Sequence, residues 1–148
     1  MKINFYQKIQ NIITPPLIQM MAVILKALGI KTQASLGSLA LYKTGKKVIL
    51  SVSWNCIGWQ SLLLLILTFI TGLSGNYLLS SKLRCIGIGV LGTFLVNIFR
   101  MTTVALIAFS AGQMPAIIFH DYIANFIPII WFFLFWKFSF NFVLEKKT

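Results

Sequence analysis

The feature that most limits what this chain can become is an arginine inside an apolar run. Arg100 lies deep within 83–111, where the only other charge is Arg84 at the very start. At 1.5 Å per residue that run is about 43 Å long, more than the roughly 30 Å hydrocarbon core of a bilayer. A charge at membrane depth costs roughly 2.5–3.5 kcal/mol on insertion scales, so it is usually retained for a function or a partner. A break at Arg100 would leave a remainder too short to cross, so the run reads as one helix projecting beyond the bilayer. It closes on Gly112-Gln113-Met114-Pro115, and the sole histidine, His120, follows beside Asp121.

Composition agrees with a membrane setting. The chain is 58% hydrophobic and only 10% charged, where soluble domains carry about 25% charged residues. Thirteen basic residues oppose Asp121 and Glu145, for a net charge of +11. In a soluble protein that excess would suggest nucleic acid. Here the basic residues mostly flank apolar segments, so they read as topology signals and contacts to anionic lipid, with no nucleic-acid partner. Two cysteines, one histidine and two acids cannot furnish a dedicated four-ligand metal site. No cofactor is implied.

The expected fold is an all-α integral membrane protein: a bundle of about four transmembrane helices in a single membrane-embedded domain, 1–148. The spans fall near 12–30, 54–72, 83–111 and 122–140. The first contains Pro15, Pro16, Gln19 and Lys26, and an interfacial helix is its alternative reading. Before the second span, Val48, Leu50, Val52 and Trp54 alternate with Lys47, Ile49, Ser51 and Ser53. That period of two, with a turn at Thr44-Gly45, predicts a small extracytoplasmic β-hairpin over 39–54. An unstructured basic loop is the plainer alternative.

Four spans put both termini on one face, with Lys2, Lys8, Lys82, Arg84, Lys137, Lys146 and Lys147. The positive-inside rule makes that face cytoplasmic, against Lys31, Lys43, Lys46 and Lys47 opposite. Three spans would turn the N-terminus outward without moving the later helices. Cys56 then starts the second span at the outer surface, Arg100 lies about 25 Å up the third, and His120 precedes the last. On that topology Cys85 is a membrane thickness away, so both cysteines are expected to be thiols. Thr93, Asn97, Arg100, Thr103 and Ser110 form one polar stripe expected to face the bundle interior.

A thiol, an imidazole and a guanidinium at one depth suit acyl transfer. Cysteine attacks as thiolate, which nearby cations favour. Histidine shuttles protons near neutrality. Arginine, permanently charged, can hold a thiolate or a developing oxyanion. Taken one by one, each residue also has a bland reading: a small packing cysteine, a solvated His beside Asp, a structural arginine.

Three blocks resemble the exosortase/archaeosortase family of prokaryotic membrane transpeptidases. Val48-Ile-Leu-Ser-Val-Ser-Trp-Asn-Cys-Ile-Gly-Trp-Gln-Ser-Leu is similar to that family's strand leading into a Cys-Ser-Gly or Cys-Thr-Gly turn. Asn97-Ile-Phe-Arg100 is similar to its Asn-x-x-Arg, and Phe119-His-Asp121 to its Phe-His before the last helix. Order and spacing agree over roughly residues 39–140. The resemblance implies Cys56 as nucleophile with Arg100 and His120 as catalytic partners, supported by Asn97 and Asp121. It implies a cell-membrane enzyme with an extracytoplasmic site. Its substrates would be exported proteins with a C-terminal tripartite signal, passed to water or to a lipid or glycan acceptor. Ile57 departs from the family's Ser or Thr, and many members carry more spans.

Two other readings exist. Gly72-Leu-Ser-Gly75 fits the G-x-S-G of rhomboid-type serine proteases, with Ser74 as nucleophile, but it falls across the bilayer from His120 on the expected topology. A non-catalytic membrane subunit or degenerate family member, acting as a scaffold, would use Arg100 and His120 for helix packing.

Overall fold

A computed structural model describes residues 3–35, 37–43, 46–52, 56 and 58–147, and only the backbone of residues 3–9, 43 and 46. The chain divides into two compact units: Met1–Ile57 with Ile98–Ala124, and Gly58–Asn97 with Asn125–Thr148.

The first unit begins with α1, Ile3–Ala27. Thr14, Leu17, Ile18, Met21, Ala22 and Leu25 are all buried, three and four residues apart, so they form one face of the helix. Pro15 and Pro16 sit inside it and remove two backbone donors. The helix stops at Gly29, φ 81°. Its N–H donates to Lys26 O at 2.9 Å, and the Ile30 N–H donates to Leu25 O at 3.0 Å. This is a Schellman cap, with glycine where the left-handed conformation is needed.

A three-stranded antiparallel sheet follows, in the order β1 (Lys31–Ser35), β2 (Ser38–Lys43), β3 (Lys46–Ser51). Ser35 pairs with Ser38 and Lys43 with Lys46, so both turns are two residues long. Leu39, Leu41 and Val52 are buried, and with Val48 and Leu50 they pack against Ile18, Met21 and Leu25 of α1. Met101 and Ala105 complete that core. Each fully buried Leu or Ile contributes about 1.5–3 kcal/mol relative to exposure in water. The Gln10 side chain donates to Val52 O at 3.2 Å, tying α1 to the end of β3.

In the second unit, α2 (Trp59–Gly72) packs with the first part of α3 (Leu79–Ser110) and with α5 (Phe126–Phe138). A π-helical segment, Ser139–Val143, continues α5. Leu65, Cys85, Phe132, Phe135 and Val143 form the core, edged by Phe69, Trp131 and Trp136. Glycines make room for the rings. A Cβ on Gly92 would lie 2.1 Å from Trp131, and one on Gly72 would lie 2.3 Å from Trp136. The Trp131 indole N–H donates to the Thr93 hydroxyl at 3.0 Å. The C-terminal tail pairs back on the α2–α3 connection, where Tyr77 bridges Lys146.

Two helices, Leu79–Ser110 and Phe126–Val143, are long and apolar enough to cross a membrane. Their most apolar windows are only 39% and 28% buried, so neither is the sequestered core helix of a soluble domain. Their length, apolarity and exposure point to association with a membrane.

The four-helix transmembrane bundle is therefore corrected. Among the described residues only those two helices meet the requirements of a span. Helix α1 spends its apolar face on the sheet. Helix α2 begins at Trp59 rather than at 54, and its 14 residues cover about 21 Å, short of the roughly 30 Å core. The hairpin is a three-stranded sheet, because 31–35 forms a further strand. Along 47–52 the alternation holds: Val48, Leu50 and Val52 point to the core while Lys47, Ile49 and Ser51 are exposed. Thr44 and Gly45, and Ser53, Trp54 and Ile57, lie outside the described residues.

Candidate functional site

Two ends of the first unit converge on Cys56. Strand β3 delivers it from one side. From the other, Gly112 (φ 98°) turns the chain out of α3 into α4, Gln113–Ile118, which runs on as a π-helical segment, Phe119–Ile123. The i→i+5 bonding of a π segment shifts the direction of side chains relative to an α-helix, and such segments often occur at functional sites. His120 lies on it.

The Cys56 Sγ and His120 Nε2 are 3.4 Å apart. On the far side of the ring, His120 Nδ1 is 2.9 Å from an Asp121 carboxylate oxygen. An ionised carboxylate only accepts, so the Nδ1 proton faces Asp121 and leaves Nε2 as the acceptor for the thiol proton. Cys56 is half-buried. The His120 and Asp121 side chains are 32% and 57% exposed, so the relay opens to the outside. All three line a cleft of about 260 Å³ whose walls include Ile49, Ser51, Gln113 and Ile117.

Arg100 belongs to the same unit and is 6% exposed. It lies close enough for a charge on Cys56 to act on its guanidinium. A buried guanidinium and an imidazole thus share a unit with this sulfur. This arrangement can take a proton from a thiol, favour the resulting thiolate and return a proton to a leaving group.

Of the residues singled out from the sequence, the structure brings Cys56, His120 and Asp121 together, with Arg100 in their unit. Asn97 is buried but belongs to the second unit, where its side chain packs against Gly58; a Cβ there would meet it at 2.7 Å. The polar stripe on α3 is revised. Thr93, Asn97 and Arg100 are buried, as is Thr102. Thr103 instead bonds the Phe99 carbonyl at 2.9 Å, and exposed Ser110 bonds that of Leu106 at 2.8 Å. Buried positions on this helix recur every four residues, at Ser81, Cys85, Gly89, Thr93, Asn97, Met101 and Ala105. Both cysteines are thiols. The Ser74 hydroxyl donates to Thr71 O at 2.7 Å, closing the end of α2. Gln113 was not singled out in sequence; its one signal was a polar residue directly after the Gly112 break.

No known protein family, curated protein or solved structure matches this chain.

Proposed function

We propose that the chain is a membrane cysteine transpeptidase or protease of the exosortase/archaeosortase kind, acting through an acyl-enzyme on Cys56. The observation that carries this reading is the Cys56–His120–Asp121 relay, with contacts of 3.4 and 2.9 Å. The three sequence blocks named above add to it.

In the proposed reaction His120 Nε2 takes the Cys56 proton and Sγ attacks a substrate carbonyl carbon. The C–S bond forms as the carbonyl π electrons move to oxygen, and Arg100 offsets the negative charge. As the oxyanion collapses the C–N bond breaks, and the imidazolium protonates the departing amine. A hydroxyl, an amine or water then attacks the thioester, giving its proton to His120 while the sulfur departs as thiolate. Transfer to a lipid or glycan group is sorting; transfer to water is proteolysis. By resemblance, the substrates are exported proteins with a C-terminal motif, an apolar helix and a basic tail.

We further propose that α3 and α5 cross the cell membrane with the site on the extracytoplasmic side. The segment joining them, 111–125, carries no Lys or Arg. The opposite ends carry Lys82, Arg84, Lys137, Lys146 and Lys147, as the positive-inside rule requires of cytoplasmic flanks.

The test is co-expression with a protein bearing such a tail, followed by its molecular weight. Loss of the tail with the parent enzyme and retention with Cys56→Ala is expected. Tail removal that persists in Cys56→Ala would overturn the reading.

A further inference from the structure

We infer that the acyl segment of the substrate binds as a fourth strand along the outer edge of β3; this rests on the nucleophile reading above. Among the described residues strand β3 is terminal in the sheet, with β2 on one side only. The Val52 N–H donates to Gly37 O at 3.0 Å, in register with the β2–β3 ladder. Hydrogen-bonded pairs alternate in an antiparallel ladder, so the even-numbered residues of β3 bond to β2. Lys47, Ile49 and Ser51 therefore turn their backbone N–H and C=O groups outward, repeating about every 6.8 Å.

That edge leads into the site. Ile49, Leu50 and Ser51 line the same cleft as Cys56 and His120. Side chains alternate between the two faces of a sheet, so a cleft touched by three consecutive residues opens on the strand's edge rather than on one face. Native edges are commonly guarded by lysine, proline or a bulge. Here Lys46 and Lys47 mark only the turn end, and the β2–β3 register runs one-to-one through all six pairs. The end nearest Cys56 is a regular strand with Ile49 and Ser51. The occupant is an extended peptide, held by main-chain hydrogen bonds and running to the carbonyl that Cys56 attacks. Main-chain pairing supplies affinity, and side-chain pockets supply selectivity.

The experiment uses the full chain in detergent and an acetylated Val-Thr-Val-Thr peptide ending in a vinyl sulfone. The Cys56 thiolate adds to the vinyl carbon β to the sulfone, forming a C–S bond as the C=C π electrons move to the carbon α to the sulfone, and that carbanion takes the proton held by His120. Labelling of Cys56 is followed by intact mass, with iodoacetamide as a reagent that has no backbone to pair. Peptides N-methylated at one amide at a time are then compared. Methylation at the amides facing β3 is expected to slow labelling at least tenfold, and at the intervening amides less than threefold. Ile49→Pro, which removes one outward donor and leaves the β2–β3 ladder in place, is expected to lower the ratio of peptide to iodoacetamide rates about tenfold. Rapid labelling by both reagents with no alternation along the peptide overturns the edge assignment alone. A Cys56 that neither reagent labels faster than in His120→Ala overturns the nucleophile reading, and the edge assignment with it.

Discussion

Cys56 and Cys85 are the same side chain in two settings, one in each unit, and the contrast shows what makes a site. Cys85 is 0% exposed among Leu65, Phe132 and Phe135; it fills space inside a core, with the buried Ser139 side chain as its polar neighbour. Cys56 sits on the border of its core, with an imidazole at 3.4 Å, a carboxylate behind the ring and an open cleft in front. Two buried hydroxyls of the second unit are bonded within it: Ser81 donates to Leu78 O at 2.8 Å and Thr93 accepts from Trp131. The first unit instead holds a buried cation, Arg100, and an exposed acid, Asp121, beside one histidine–thiol pair. Burial makes a thiol inert, whereas partial exposure beside cations makes it reactive.

The strongest way to break this contrast is to exchange the two thiols' fates. Cys56→Ala should lower tail processing by about four orders of magnitude or more, as loss of a nucleophile does. Cys56→Ser should be nearly as damaging, because a hydroxyl ionises far less readily than a thiol. Cys85→Ala should leave processing unchanged. Equal losses from both positions would erase the distinction.

His120→Ala comes next, with an expected loss of about 10²–10⁴-fold, the usual range for general acid–base catalysis. Single-turnover assays should show the defect in release of the amine, where proton delivery fails. A variant that cleaves at the parent rate would reduce His120 to a packing residue.

Arg100→Leu should cost about 10²-fold in rate, the scale of one charge stabiliser. The protein should still insert, since a costly buried charge has been removed. Arg100→Lys should remain poor because an ammonium lacks the planar fork. Full activity with Lys would show that charge alone suffices.

The smallest effect sharpens the other side of the comparison. Gly92→Ala should destabilise the second unit by about 1–3 kcal/mol through overpacking, because its Cβ would collide with Trp131. Thermal unfolding in detergent measures it. An unshifted midpoint would mean that the ring yields without cost.

The residues that meet at the site were more legible in sequence than the architecture. Cys56, His120 and Asp121 stood out because each is rare in so apolar a chain, and the break at Gly112 announced the turn that carries His120. Strand β1 left no such trace. Its residues, Lys31 to Ser35, are nearly all exposed, so no apolar alternation marks it. It is held by pairing to β2 across the turn containing Gly37, φ 85°. Helix α1 carried enough apolar residues to pass for a marginal span, yet Ile18, Met21 and Leu25 are spent on the sheet. Counting hydrophobic residues does not tell lipid from a neighbouring strand. Thr103 and Ser110 fitted a polar stripe by spacing, but each satisfies its hydroxyl on its own helix, which a residue count cannot see.

The central claim is that Cys56 forms a covalent acyl-enzyme, and the intact mass of the protein during turnover tests it most directly. The full chain is mixed with a tailed substrate, quenched in acid within the first turnover and weighed. An adduct equal in mass to the acyl fragment is predicted, mapped to Cys56, discharged by hydroxylamine as a thioester should be, and absent in Cys56→Ala. Cleaved substrate accumulating while Cys56 carries no adduct, or an adduct on Cys85 instead, would contradict the account.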